Sequence, residues 1–117
     1  MNTEKRIRAF SELGNAIAKN SSVLKSSVYN PWFIERFTEF ALKETASLLQ
    51  EIKLKTWIEK YPDFNKNKDA KKIGVITAGN LPLVGFHDFL SVLISGNIFV
   101  GKLSSKDNVL LPRIIQL

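Results

Sequence analysis

Three observations predict an α/β chain in which N-terminal helices precede a βαβ unit of a parallel sheet. Apolar residues recur at three- and four-residue steps through the first fifty positions, which is helical spacing. Two short β-branched runs, "KIGVI" and "IFVGKL", flank a helix-length apolar stretch. Both runs are apolar throughout rather than alternating, which suits a parallel sheet covered on both faces.

The elements follow in order. In "TEKRIRAFSELGNAIAKN", Thr3 is expected to cap, and Ile7, Phe10, Leu13 and Ile17 share one face. Asn20, Ser21 and Ser22 punctuate. "NPWFIERFTEFALKETASLLQEI" then opens with Asn30 as N-cap and Pro31 at the first helical position. Phe33, Phe37 and Phe40 are expected to form a core-facing aromatic stripe. A short helix holds Trp57, Ile58 and Tyr61 before Pro62 ends it. The polar "PDFNKNKDAKK" reads as a connector.

Past the connector the pattern changes. A strand at Ile73–Ile76 leads into "TAGNLP". The stretch "LPLVGFHDFLSVLISGN" predicts a helix closed by Gly96 and Asn97, and a second strand runs Ile98–Val100. "SSKDN" is a turn, and Pro112 falls in the first turn of a last helix. Residues 1–62 therefore form a helical region, 63–72 a linker and 73–117 a βαβ unit opening into the next helix. Two parallel strands are not a stable sheet alone. Because the pattern also stops at Leu117 without a C-cap, the expectation is the N-terminal part of a longer protein, or a sheet completed by another chain.

Composition bounds the function. The 117 residues are 44% apolar with eight Phe and two Trp, so a packed core is expected. The net charge of +6 is scattered, and its one dense cluster, Lys66, Lys68, Lys71 and Lys72, lies in the connector. That predicts a solvated surface and no nucleic-acid partner. With no cysteine, a disulfide, a zinc–thiolate site and a cysteine nucleophile are excluded within these residues, and no metal site is expected. No apolar run is long and unbroken enough for a membrane span, and "MNTEKRIRAF" lacks the apolar core of a signal peptide. A cytoplasmic location follows by default.

Ligands of open parallel sheets bind where strands end and loops lead into helices. Two such loops exist here, one carrying Asn80 and one following the second strand. Asn80 has two readings: a turn residue tolerant of left-handed backbone and able to cap, or a polar group placed for chemistry. Lys102 and Ser104 read equally as strand-end and cap residues. His87 has two readings, a proton donor at the site or a partly buried spacer; the second is expected, with Asp88 an acid that offsets the helix dipole.

Order and spacing carry a resemblance. "GVITAGNLPLVGFHDFLSVLISGN" followed by "GKLSSKDNVLLP" resembles the acyl-CoA reductases related to the fatty-acid reductase of bacterial bioluminescence, a branch of the aldehyde dehydrogenase superfamily. The matching motifs are Asn80-Leu81-Pro82, Gly96-Asn97 and Lys102-Leu103-Ser104, and the "NPW" at Asn30 and the "W…YP" from Trp57 to Pro62 resemble that branch's N-terminal helices. The resemblance implies a partial aldehyde-dehydrogenase-type fold with a Rossmann-like sheet. It implies reduction of a fatty acyl thioester, such as acyl-CoA, to an aldehyde through a cysteine thioester whose cysteine lies outside this chain. Asn80 is then the oxyanion donor. Thr77, Lys102 and Ser104 are the implied contacts to NADP or NAD, the last two at the adenine ribose, and homo-oligomerisation is expected. Alone, these residues are expected to be inactive. Two alternatives stay open: an aldehyde dehydrogenase oxidising aldehydes, and a non-catalytic helical interaction module.

Overall fold

The computed structural model of the chain describes every residue except Ser27, Tyr29, Trp32, Asn67 and Lys68. Lys68 of the basic cluster and Trp32 of the "NPW" motif thus lie outside the described residues. The architecture mixes helix and strand: α1 (Thr3–Lys19), α2 (Ser21–Ser26), α3 (Glu35–Leu48), α4 (Glu51–Ile58), β1 (Lys72–Ile76), α5 (Phe86–Ile94), β2 (Ile98–Lys102) and α6 (Leu110–Ile115).

α1 starts one residue earlier than a Thr3 cap would allow. Asn2 is the cap, its side chain accepting the Lys5 N–H at 2.9 Å. Ile7, Phe10 and Ile17 are buried as their spacing predicts. The segment after Asn20 folds into the short helix α2 rather than a turn.

Helix α3 corrects the sequence reading most. Asn30 and Pro31 precede it: the Phe33 N–H closes a turn on the Asn30 carbonyl, Ile34 is extended at φ −64° and ψ 144°, and the helix starts at Glu35. The predicted long helix also breaks, because Gln50 is extended between α3 and α4. The bend lets Leu49 and Leu54, at 0% and 1% exposure, both reach the core. The aromatic stripe does not hold. Phe33 is buried, but Phe37 and Phe40 are 55% and 63% exposed. The inward face is Thr38, Leu42 and Thr45, one helical step round from the phenylalanines.

The βαβ unit forms as its pattern predicts. β1 and β2 pair in parallel, from Lys72 opposite Ile98 to Ile76 opposite Lys102. Between them α5 ends in a Schellman cap. Gly96 takes φ +84° and donates to Leu93 C=O, while Asn97 N–H reaches Val92 C=O at 3.1 Å. Asn97 then starts the sheet, its Oδ1 accepting the Lys71 N–H at 3.0 Å. α5 itself is shorter than its apolar pattern. Residues 80–81 bend and 82–85 turn, since Leu83 adopts φ +59°, which no helix continues through.

One core joins the helical region to the βαβ unit, running from Ile7 and Phe10 through Leu42 and Leu49 to Leu90 and Ile114. Phe89 of α5 is its hub. Its ring meets Phe10 of α1 edge-on at 6.3 Å and Phe99 of β2 at 5.2 Å. Arg6 adds a polar tie, donating from Nε to the Ile94 carbonyl at the end of α5 at 2.7 Å. The expectation of a sheet covered on both faces is not met within this chain. Ile73, Val75 and Phe99 are partly buried, whereas Ile76, Ile98 and Val100 on the other face are 83%, 46% and 52% exposed. Among the described residues, each strand also has one unpaired edge.

Candidate functional site

The parallel register fixes the site's location. Both strands end level, with Ile76 opposite Lys102. Their two following loops, 77–85 and 103–109, therefore emerge on one edge of the sheet. This is the edge at which ligands of parallel α/β sheets bind.

The loops are stapled together at two points. The first staple is Thr77. Its N–H extends the strand ladder to Lys102 C=O at 3.0 Å, so β2 runs through Lys102 instead of stopping at Val100. Its hydroxyl donates to the same carbonyl at 3.4 Å and accepts the Ser104 N–H at 3.2 Å. Gly79 completes this staple by close approach: a Cβ there would lie 2.6 Å from Ser104 Cβ. Ser104 Oγ in turn accepts the Lys106 N–H at 3.2 Å. The second staple is Asp107, whose Oδ2 accepts the Leu83 N–H at 3.0 Å. Burial pushes the Asp107 carboxyl above its usual range, an effect the Leu83 N–H partly offsets.

Between the staples, Asn80 and Leu81 form an exposed tip. Asn80 thus stands on a short span tied at both ends to a second loop. The Leu83 side chain is 7% exposed and anchors the span in the core. A fixed span of this kind can hold an amide donor without the entropy cost of a free loop.

The predicted cofactor residues separate by environment. Lys102 is exposed, and alternation along β2 places it on the bare face with Ile98 and Val100. Ser104 is partly buried under the Lys106 amide. Thr77 is 9% exposed and its hydroxyl is used between the loops. His87, expected to be a partly buried spacer, is exposed; its ring lies 5.6 Å from that of Trp57. Asp88 is in the first turn of α5, as the dipole argument requires.

Sequence reasoning missed two residues of this edge. Asp107 read only as a turn former in "SSKDN", since nothing local tells that it reaches 24 positions back to Leu83. Asn30 read as a helix cap, yet its Nδ2 donates to the Lys106 carbonyl. Both residues line a cleft of about 360 Å³, which Val28, Pro31 and Phe33 share with residues 105–109. Among the described residues no group of three or more metal-binding side chains occurs, and no helix is long and apolar enough to cross a membrane. No protein-family model, curated protein or solved structure matches the chain.

Proposed function

We propose that the chain supplies the oxyanion donor and the first βαβ unit of a Rossmann-like nucleotide site in an NAD(P)-dependent reductase of fatty acyl thioesters. The observation that supports this best is the exposed Asn80 tip, stapled at Thr77–Gly79 and at Leu83 to the neighbouring strand's loop. Acyl transfer to a thiol develops negative charge on the acyl oxygen. A pre-placed amide N–H lowers that charge's energy more than it lowers the ground state's. The chain has no cysteine, so the thiol comes from outside these residues.

Lys102 fits a dinucleotide. It is exposed at a strand's carboxyl end, and among the described residues no carboxylate pairs with it. Its ammonium suits ribose hydroxyls or a 2′-phosphate. Ser104 keeps a hydroxyl proton to donate beside it. Thr77 fits less well as a contact, because it holds Ser104 from beneath. When bound, the reduced nicotinamide supplies the hydride. The bare apolar face of the sheet supports helices covering it, and the two unpaired strand edges support further parallel strands, since two strands alone are marginal.

The test is reduction of a long-chain acyl-CoA by the natural gene product that carries these residues, with the aldehyde trapped and quantified. Aldehyde formation dependent on NADPH or NADH supports the proposal. Absence of both aldehyde formation and dinucleotide binding overturns it.

A further inference from the structure

We propose that Asp107 is the positioning residue for Asn80, holding the turn that carries it through the Leu83 N–H. This rests on the reading of Asn80 as the oxyanion donor and adds the residue that sets its place.

The geometry is specific. Leu83 is the only described non-glycine residue with positive φ, at +59°. That conformation is unfavourable for a Leu backbone and persists only where the surroundings impose it. Two things do so here. The Leu83 side chain is buried in the core, and its N–H is held by Asp107 Oδ2 at 3.0 Å. Among the described residues, Asp107 is the one side chain that bonds to residues 80–85. The turn's remaining bonds are to near neighbours in sequence: Val84 N–H to Leu81 C=O, Phe86 N–H to Leu83 C=O and Phe89 N–H to Gly85 C=O. They shape the turn but do not fix it to the second loop. Without the Asp107 carboxylate the span keeps hydrogen bonds across to the second loop at its Thr77 end alone, the other end rests on the buried Leu83 side chain, and Asn80 gains freedom there. A half-buried carboxylate without a charged partner is costly to maintain. Its place is accounted for by what it holds.

The test is amide hydrogen exchange and side-chain relaxation by NMR on the chain and its Asp107→Ala and Asp107→Asn variants. In the unmutated chain, Leu83 N–H should exchange at least about tenfold more slowly than Leu81 N–H, the magnitude of one charge-assisted hydrogen bond. Asp107→Ala should erase that difference and lower the order parameter of the Asn80 side-chain amide. Asp107→Asn keeps an acceptor oxygen and should restore both. Equal exchange at Leu81 and Leu83 in the unmutated chain overturns the proposal whether or not the alanine variant folds. So does an Asn80 amide equally ordered in all three proteins. These readouts do not need catalysis. If Asp107 proves to order Asn80 but Asn80→Ala leaves acyl reduction intact, the functional reading fails and the positioning stands.

Discussion

Replacing Gly79 with alanine tests the staple between the two loops. Gly79 does not have positive φ, so its backbone accepts a side chain. On that ground alone Gly→Ala stabilises by about 0.4–1 kcal/mol through the unfolded chain. Packing reverses the sign. The new methyl would lie 2.1 Å from Ser104 Oγ and 2.6 Å from Ser104 Cβ. Rotating Ser104 relieves the first contact only, because its Cβ is fixed to the backbone. The loops must part by about 0.8 Å to restore the ordinary 3.4 Å contact, which strains the Thr77–Ser104 bond. Overpacking of this kind costs about 1–3 kcal/mol. For a chain of this size the melting temperature should fall by roughly 3–12 °C. Thermal unfolding followed by circular dichroism reads this, in a double-mutant cycle with Ser104→Gly. In that background the Ser104 contacts are gone and only Lys106 Cβ, 3.0 Å away, still crowds the methyl, so most of the penalty should vanish. Gly79→Ala as stable as the parent, or a penalty unchanged by Ser104→Gly, refutes the close approach.

Other substitutions separate the true core from the apparent one. Leu42→Ala, at a site 1% exposed, should cost about 2–5 kcal/mol, whereas Phe37→Ala, 55% exposed, should change urea stability by less than about 0.5 kcal/mol. Thr38 is 1% exposed and its hydroxyl has no hydrogen-bond partner among the described residues; Thr38→Val should be neutral or stabilise by about 1 kcal/mol in the same assay. The raised Asp107 carboxyl gives a pH signature. An acid whose folded-state pKa lies above its unfolded value binds more protons when folded, so its share of stability is present at low pH and lost as pH rises through the folded value. Asp107→Asn should therefore match the parent in denaturant stability in strong acid and exceed it near neutrality; an advantage confined to acid contradicts that sign.

What the sequence made legible was local. The Schellman cap at Gly96 and Asn97 needs only a glycine after an apolar run, and the βαβ pairing follows from two β-branched runs a helix apart. That both loops share one edge follows from nothing more than parallel strands. Other features depended on distant partners. The helical period admits either Phe37 or Thr38 as the inward residue, and packing against α1 decided it. The break at Gln50 appears only once Leu49 and Leu54 must bury together. At the site, Asn80 was visible because an asparagine between a glycine and a proline is conspicuous. Asp107 was not, because its role is a bond to a main-chain N–H, which no side-chain pattern records.

The most direct test of the account is the turnover of an acyl-CoA by the natural gene product with Asn80→Ala beside the unaltered protein. The expected result is a loss in kcat of about 10²–10³ with the melting temperature unchanged, as for removal of one oxyanion donor. An Asn80→Ala protein that reduces the thioester at the parent rate contradicts it.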